Sequence, residues 1–375
     1  MEWGLLALPG FLIWLVVLLL PWKPWCTDES LDATTNDTSP DLSQITVLIP
    51  ARNEQEVIAE TLDGLAQQGD GLEIILIDDQ SNDNTAEIAR SKNLPGLQII
   101  LGQPLRSGWS GKLWALEQGR LLAKTPLLLL LDADIYLNPN TLNALVQKME
   151  REQLDLVSLM AQLKMECFWE KLLIPAFIFF FKLLYPFRLS NSKQTPIAAA
   201  AGGCILVKAK MLEKINAFSS LQDCLIDDCS LARKIKNTGG RIWLGLTHSA
   251  ISLRTYHKLE DIWSMVNRNA FTQLQYSWLL LLLCTLIMFA AFMFPIMAIF
   301  TGNTISIITG ITALGLLFTC YLPTLKYYSI NPLWGCSLPV TGIFYLLMTW
   351  SSAWQHLTGK GARWKDRSYS AIAQK

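Results

Sequence analysis

The sequence predicts an α/β domain with a mostly parallel central sheet and flanking helices, joined to transmembrane helices. Two observations predict the sheet: short apolar runs alternate with helical segments, and these runs are continuously apolar. The membrane part is predicted by composition, since 51% of the 375 residues are hydrophobic and 17% are charged. A soluble domain carries about a quarter charged residues. The 31 basic and 31 acidic residues balance, so nucleic acid is not an expected partner.

The N-terminal segment is predicted to be an uncleaved membrane anchor over residues 1–22. Residues 4–20 are nearly all apolar, and the following five residues include two tryptophans, as at a membrane interface. A signal peptide would have a basic start and a small-residue cleavage site, whereas this chain starts with Met-Glu-Trp. Residues 23–44 are rich in Asp, Ser, Thr and Asn and are predicted to be a linker.

Strands and helices are predicted to alternate between residues 45 and 216. The predicted strands are the apolar runs 45–50, 73–77, 97–101 and 127–131. Helical periodicity is found between them at 56–68, 85–91 and 113–123. In sheets of this kind ligands bind beyond the carboxyl ends of the strands. Polar residues at those ends are therefore the candidate site residues.

Three apolar segments near the C-terminus are predicted to be membrane spans within residues 277–353. They are 278–300, 305–322 and 333–350, each near the roughly 20 residues that a spanning helix needs. A basic tail over residues 354–375 follows. Residues 171–189 are also apolar but contain Pro175, Lys182 and Pro186. We predict a helix lying in the membrane interface there; a buried helix of the soluble domain is the alternative.

Three polar clusters follow predicted strands. They are Pro-Ala-Arg-Asn-Glu at 50–54, Asp-Asp-Gln-Ser-Asn-Asp-Asn-Thr at 78–85, and Asp-Ala-Asp at 132–134. Acids that close an apolar strand are expected to be solvated or to bind a ligand, because a dry carboxylate is costly. Hard divalent cations that bridge phosphates take one or two carboxylates. For the second cluster, helix capping by Asp83 or Asn84 is the alternative.

A fourth cluster, Asp227-Asp228, opens a predicted helix. Two acids at a helix start complement the helix dipole, and the functional alternative is a general base beside a reacting hydroxyl. The eight cysteines include no C-x-x-C pair, and the chain has three histidines. We therefore predict reduced thiols and no zinc site.

The order of these motifs, with Gly111-Lys112 between the second and third, resembles the inverting family-two glycosyltransferases with the GT-A fold. The resemblance covers roughly residues 45–275 and implies a GT-A, nucleotide-sugar-binding catalytic domain over 45–276. The arrangement with an anchor and C-terminal spans is similar to ceramide glucosyltransferases and, more closely, to hopene-associated glycosyltransferases. Residues 266–274 and 364–369 contribute to the narrower likeness.

The resemblance implies roles in binding the donor. Ala51, Arg52 and Glu54 would line the nucleoside pocket, and Asp79 would contact the base or ribose. Lys112 would approach the nucleotide or its phosphates. Asp132 would face the ribose or the metal, and Asp134 would bind a Mg²⁺ or Mn²⁺ on the diphosphate.

Further roles concern the reacting groups. Asp228 would be the catalytic base, with Asp227 as the alternative. Gly202 and Gly203 would let the backbone come close to the donor sugar or the acceptor. Arg268 would match the arginine of the family's Q-x-x-R-W element, which helps hold the diphosphate. The sequence departs from that element, because residue 265 is Met and residue 269 is Asn.

The implied reaction is a metal-assisted single displacement from a nucleotide-sugar, UDP-linked, to the hydroxyl of a lipid such as a hopanoid or an isoprenoid. An integral protein of the plasma (inner) membrane is predicted. Its catalytic domain would face the cytoplasm, where sugar nucleotides are found. One alternative is a processive polysaccharide synthase, which would need several long spans and an intact Q-x-x-R-W element. Another is a membrane nucleotidyltransferase, which would normally carry a glycine-rich loop near the first strand.

Overall fold

The computed structural model describes residues 5–34, 41–222, 226–358, 363–364 and 367–368. Parts of the predicted anchor, linker and basic tail lie outside the described residues. The strands are β1 (Ile45–Ala51), β2 (Glu73–Asp78), β3 (Leu97–Leu101), β4 (Leu127–Leu131), β5 (Ile135–Leu137), β6 (Leu156–Gln162), β7 (Cys204–Lys208), β8 (Ile242–Ser252), β9 (Arg363–Trp364) and β10 (Arg367–Ser368). The helices are α1 (Leu8–Leu19), α2 (Ile58–Ala66), α3 (Thr85–Ser91), α4 (Gly111–Leu122), α5 (Thr141–Arg151), α6 (Phe168–Leu184), α7 (Phe187–Asn191), α8 (Ala209–Lys214), α9 (Asp227–Asn237), α10 (Leu259–Asn267), α11 (Ala270–Gln273), α12 (Trp278–Met288), α13 (Phe294–Ile299), α14 (Thr304–Tyr327) and α15 (Leu338–Leu357).

Eight strands form one mixed sheet in the order β3-β2-β1-β4-β7-β6-β8-β5. Neighbouring strands from β3 to β4 are parallel. β7 enters antiparallel between β4 and β6, β6 is parallel to β8, and β5 is antiparallel to β8. As a result, the carboxyl ends of β1, β2, β4, β6 and β8 lie at the same edge of the sheet, where polar groups can meet.

The four strands predicted from apolar runs are confirmed, with ends within one residue of the prediction. All of β1 is buried, because helices cover both faces of the sheet. On one face α2 and α5 pack Leu62 and Leu145 against the strands. On the other face α4 and α9 contribute Leu116 and Leu231. The predicted α/β architecture with a mostly parallel sheet is therefore confirmed.

Three helical segments after the sheet are long and apolar enough to cross a membrane. They are Trp278–Ile299, Thr304–Tyr327 and Pro332–Leu357, with mean hydropathies of 2.7, 2.0 and 1.3. The first is continuous from α12 to α13 through a π-helical turn at Phe289–Met293. Their outward faces carry exposed leucine and isoleucine side chains, as expected for surfaces in contact with lipid. The prediction of C-terminal transmembrane helices is confirmed at the level of length and composition.

Helix α1 is shorter than these segments. Its 12 residues rise about 18 Å, whereas the hydrocarbon core of a bilayer is about 30 Å thick. Trp14 of α1 donates from Nε1 to the carbonyl of Ala291 at 2.8 Å, so α1 packs against the first long segment. A membrane anchor over residues 1–22 stays a prediction.

Helix α6, predicted to lie in the membrane interface, is buried along its middle. Phe179 packs near Trp14 of α1, at 6.3 Å between ring centroids, and near Tyr321 of α14, at 5.2 Å. The Tyr345 hydroxyl of α15 donates to the Leu173 carbonyl at 2.9 Å. This hydrophobic cluster also includes Leu244 and Leu246 of β8. α6 therefore connects the sheet domain to the apolar helices, and its position relative to a bilayer stays a prediction.

The polar segment predicted to be a linker contacts the sheet domain where it is described. The Leu31 N–H donates to the Leu246 carbonyl of β8 at 2.9 Å. Trp243 Nε1 donates to Glu29 Oε2 at 2.9 Å. Residues 29–31 therefore continue the sheet's hydrogen bonding beyond β8.

Gly64 allows α2 to pack closely against β5 at the edge of the sheet. This close packing leads to a prediction about stability. A Cβ at this position would lie 2.9 Å from the backbone N and 3.0 Å from the carbonyl O of Leu137 in β5. We expect Gly64→Ala to lower the free energy of unfolding by about 1–3 kcal/mol, because backbone atoms cannot yield as a flexible side chain can. The thermal midpoint of the purified protein measures this. Glu60→Ala, at an exposed position of the same helix, should change it little; equal midpoints for both variants would contradict the packing.

Candidate active site

The loops after β1 and β2 hold each other at the carboxyl edge of the sheet. The Asp79 N–H donates to the Ala51 carbonyl at 2.8 Å. The Arg52 guanidinium donates from Nη1 to the carbonyls of Asp79 at 2.6 Å and Gln80 at 2.9 Å. Asn53 and Gln80 have left-handed φ angles of 52° and 58°, which are uncommon for residues with a side chain. The first two predicted motifs therefore form one structural unit.

The second motif, residues 78–85, belongs partly to this unit and partly to the start of α3. Asp79 is fully buried at the end of β2. Asp83 precedes α3, and its Oδ1 accepts the Thr85 N–H at 3.1 Å. The helix-capping alternative accounts for Asp83, whereas Asp79 belongs to the strand end.

Asp132 follows β4 and pairs with Lys112 of the first turn of α4. Lys112 Nζ lies 2.6 Å from Asp132 Oδ1 and donates to the Gly202 carbonyl at 3.4 Å. Ser110 caps α4, because its Oγ accepts the Leu113 N–H at 3.4 Å. The helix start thus orients Lys112 toward the end of β4.

Lys112 is also in the electrostatic field of the fourth acidic cluster. Burial by itself would lower the pKa of its ammonium group, but the carboxylates of Asp132, Asp227 and Asp228 raise it above its ordinary value. Lys112 therefore remains charged and links two predicted motifs that are about a hundred residues apart in the chain.

The chain turns between Asp132 and Asp134, so that both carboxylates stay at the sheet edge. The Ile135 N–H donates to the Asp132 carbonyl at 3.1 Å, which closes the turn before β5. Asp134 Oδ2 accepts a hydrogen bond from Arg254 Nε at 2.9 Å. Burial raises the pKa of Asp134, and the charge of Arg254 opposes that shift. Two acids of an extended segment can face one site only because of this turn.

Arg254 is a site residue that the sequence analysis missed. Its Nη2 lies 3.6 Å from Glu54 Oε1, so one guanidinium contacts both the first and the third motif. Arg254 comes two residues after the end of β8. The strand-end rule that singled out the acids would have found it, had the strand after residue 241 been predicted and basic residues been considered.

Asp227 and Asp228 open α9 and lie beside Lys112. Asp228 Oδ1 accepts the Cys229 N–H at 2.7 Å, and Asp227 Oδ1 accepts the Asp228 N–H at 3.0 Å. Burial, followed by the negative charge of Asp227, raises the pKa of Asp228 to about 6, against the opposing charge of Lys112. A carboxyl group with such a pKa is a competent proton acceptor near neutral pH.

The two glycines bring the backbone close to these groups. A Cβ on Gly202 would lie 3.2 Å from Asp228 Oδ2 and 3.3 Å from Lys112 Nζ. The Gly203 carbonyl accepts the Asp132 N–H at 3.0 Å. Gly202 therefore makes room for the side chains of Asp228 and Lys112. Contact of either glycine with a substrate stays a prediction.

Arg268 lies at the C-cap of α10, with an exposed side chain. Its charge lowers the pKa of Tyr256, although burial raises that pKa overall. In the described part of the chain, the arginine that contacts Asp134 is Arg254. A role for Arg268 at the diphosphate stays a prediction.

The pair Asp132 and Asp134 fits a divalent cation that arrives with a diphosphate. Such ions take one or two protein carboxylates and complete their shell with phosphate and water oxygens. Among the described residues, no third histidine, cysteine or carboxylate completes a three-ligand group with them. The donor set therefore suits Mg²⁺ or Mn²⁺ shared with a nucleotide, rather than an all-protein metal cage.

Cys167, Glu170 and His257 form a group of possible metal ligands, within the described residues, outside this edge. The Glu170 carboxylate, however, accepts the N–H groups of Glu166 at 2.8 Å, Cys167 at 3.1 Å and Tyr256 at 2.8 Å. It thereby caps α6 and holds the segment that carries Arg254. Hydrogen bonding accounts for the burial of Glu170 without a metal.

Residues 46–216 match the model of the family described as Glycosyl transferase family 2, so the chain contains a glycosyltransferase domain of that family. A mannosyltransferase structure from Pyrobaculum calidifontis, PcManGT in complex with GDP-Man and Mn²⁺, superposes over 95% of this chain and 99% of that chain, with a TM-score of 0.53 and 19% identity. This likeness supports the fold, and the predicted GT-A fold is confirmed.

Two curated relatives match part of the chain. The 4,4'-diaponeurosporenoate glycosyltransferase of Staphylococcus haemolyticus is 37% identical over 110 residues, which are 29% of this chain and 29% of that protein. The enzyme of the same name from Staphylococcus aureus strain USA300 is 31% identical over 105 residues, 28% of each chain. The chain thus spans less than a third of the length of these relatives.

The cap at Glu170 generates a prediction about stability and pH. Burial would raise the pKa of Glu170, but the backbone N–H groups that it accepts lower it overall. Its stabilising contribution is therefore present above the unfolded-state pKa of about 4.3 and is lost as the pH falls through the lower folded-state pKa. Glu170→Gln should cost about 1–3 kcal/mol near neutral pH and flatten the acid decline of the thermal midpoint.

The matched control is Glu166→Gln, which changes an exposed acid of the same turn. Thermal midpoints measured from acid to neutral pH should be unchanged by this substitution. A Glu170→Gln profile that follows the wild-type profile would show that the cap does not stabilise the segment.

Proposed function

We propose that the protein is a membrane-bound inverting glycosyltransferase that moves one sugar from a UDP-sugar to the hydroxyl of a lipid. The observation that carries this proposal is the position of Lys112, 2.6 Å from Asp132 and within the field of Asp227 and Asp228. The carboxylates that would bind the donor diphosphate and the carboxylate that would act as the base therefore face the same space. The glycosyltransferase family 2 domain over 46–216 supports the reaction class.

The donor is proposed to bind at the ends of β1, β2 and β4. Ala51, Arg52, Glu54 and Asp79 would surround the nucleoside. Asp134 and Asp132 would hold a Mg²⁺ or Mn²⁺, which supplies positive charge to the diphosphate when bound. Lys112 adds a fixed positive charge on the same side, where negative charge grows as the diphosphate leaves.

Asp228 is proposed to be the base. The acceptor oxygen attacks the anomeric carbon, the bond from that carbon to the diphosphate oxygen breaks, and its electron pair leaves with the nucleoside diphosphate. The hydroxyl proton passes to the Asp228 carboxylate. The raised pKa of Asp228, about 6, lies close enough to neutral pH for efficient proton transfer and low enough for the carboxylate to predominate.

The acceptor is proposed to be a lipid, a hopanoid or an isoprenoid, because an apolar helix ends beside the base. Tyr185 follows the last residue of α6, and its hydroxyl donates to Gln273 Oε1 at 2.6 Å. The charge of Asp228 acts on Tyr185, so this end of α6 is near the base. The three apolar helices and the names of the relatives, 4,4'-diaponeurosporenoate glycosyltransferases, support an acceptor in the membrane. We place the protein in the plasma membrane with this domain in the cytoplasm, where sugar nucleotides are available.

The test is donor and acceptor profiling with identification of products by mass. The purified protein would be incubated with a panel of UDP-sugars and with hopanoid and isoprenoid lipids. We expect a lipid carrying a single sugar, and a fall in kcat of about 10²–10⁴-fold in Asp228→Asn, with donor affinity nearly unchanged because the base contacts the acceptor. A growing polymer would instead identify a processive synthase. Full activity in Asp228→Asn, with loss in Asp227→Asn, would move the base to Asp227.

The pH dependence of turnover tests the shared electrostatics. Protonation inactivates a base, so kcat/KM should fall below about pH 6, the raised pKa of Asp228. Because the positive charge of Lys112 lowers that pKa, Lys112→Met should move the midpoint of the acid limb to higher pH, apart from any loss of overall rate. Lys124→Met removes the same charge from an exposed position before β4 and should leave the midpoint in place. If the midpoint of the acid limb is the same in Lys112→Met and in wild type, the charge of Lys112 does not act on the group that titrates.

A further inference from the structure

The guanidinium of Arg254 is bound to the carboxylate that is proposed to hold the metal. Arg254 Nε lies 2.9 Å from Asp134 Oδ2, and Nη2 lies 3.6 Å from Glu54 Oε1. Asp132 is likewise paired, with Lys112 at 2.6 Å. Each carboxylate of the Asp-Ala-Asp motif therefore already has a cationic partner at one of its oxygen atoms. Glu54, Asp227 and Asp228 also act on these two cations.

This pairing works against a metal ion that arrives alone. A divalent cation would have to displace the guanidinium from Asp134 Oδ2 or share the carboxylate with it, and it would stand close to two positive charges. A nucleoside diphosphate changes this balance, because it brings negative charge and oxygen atoms that a guanidinium can contact through two N–H groups. Arg254 can then exchange one anionic partner for another.

The surroundings of Arg254 suit such an exchange. The backbone is held on both sides: the Leu253 N–H donates to the Asp134 carbonyl at 2.7 Å, and the Tyr256 N–H donates to Glu170 Oε1 at 2.8 Å. The side chain itself is 42% exposed, so its tip can turn toward an incoming ligand while its base stays in place. A fixed backbone and an accessible guanidinium are what a change of partner requires.

We propose that Arg254 makes metal binding conditional on the nucleotide, by occupying Asp134 until a nucleoside diphosphate draws the guanidinium away. Metal and diphosphate then bind together, each raising the affinity for the other, as reciprocal coupling demands. Arg254 is a positioning residue in this scheme, and afterwards it contacts the diphosphate of the donor. The inference rests on the proposed function, since it assumes a nucleotide-bound metal at Asp134.

The test measures Mn²⁺ binding to the full-length protein by the electron paramagnetic resonance signal of free Mn²⁺, without and with UDP or GDP. In wild type, Mn²⁺ alone should bind weakly, and one of the nucleotides should raise its affinity about tenfold or more. In Arg254→Gln, Mn²⁺ alone should bind about tenfold more tightly, and the gain from nucleotide should shrink by the same factor. Arg254→Lys keeps the charge and should bind Mn²⁺ alone as weakly as wild type.

Two controls separate this scheme from general electrostatics and from loss of the site. Lys258→Gln removes a positive charge from an exposed position of the segment beyond β8 and should leave the affinity for Mn²⁺ alone unchanged. Asp134→Asn should abolish tight binding in the Arg254→Gln background. Thermal midpoints of all variants establish that each is folded.

The outcomes are distinct from those of the activity assay. Unchanged or weaker Mn²⁺ binding in Arg254→Gln, an equal gain in Lys258→Gln, or no effect of either nucleotide on wild type would overturn the inference, even in an active glycosyltransferase. The expected Mn²⁺ behaviour in a protein that transfers no sugar would sustain the coupling and overturn the proposed function alone.

Discussion

Four carboxylates from distant parts of the chain approach one another at the carboxyl edge of the sheet, and their mutual repulsion is relieved by two cations. Lys112 pairs with Asp132 and lies in the field of Asp227 and Asp228, while Arg254 pairs with Asp134. The two cations offset part of the repulsion between these carboxylates. The strand ends, the start of α4 and the backbone path through Gly202 all serve to bring the cations into place.

The hydrophobic cluster around α6 connects this polar edge to the apolar helices. Its members come from α1, α6, β8, α14 and α15, so the apolar helices pack directly on the sheet domain. At the first turn of α6, Glu170 binds the backbone of Tyr256, two residues after Arg254. A shift of α6 would therefore move the backbone next to Arg254 through this hydrogen bond. Its other end, near Tyr185, lies by the base candidate.

The acids of the site have different surroundings. Asp228 has protein atoms and a second carboxylate around it, which raise its pKa to about 6. Asp132 has a direct cationic partner at 2.6 Å. Asp228 can therefore take up a proton near neutral pH, whereas Asp132 is held in an ion pair. This division is what a displacement with one base and one anchored leaving group requires.

The sequence alone predicts the first four strands, the apolar helices and the acids at the strand ends. These features are local. A strand that is buried on both faces is a continuous apolar run without alternating polar residues, and the polar residues that follow such runs lie at the edge of the sheet where ligands bind. It did not determine that β7 lies antiparallel between β4 and β6, because strand order depends on pairing between distant segments. The burial of α6 was likewise decided by packing against α1, α14 and α15.

Arg254 became visible only in the tertiary structure, since its partners Asp134 and Glu54 are 120 and 200 residues earlier in the chain. Charge pairing across such distances is set by where the fold brings the strand ends together, and no local pattern records it.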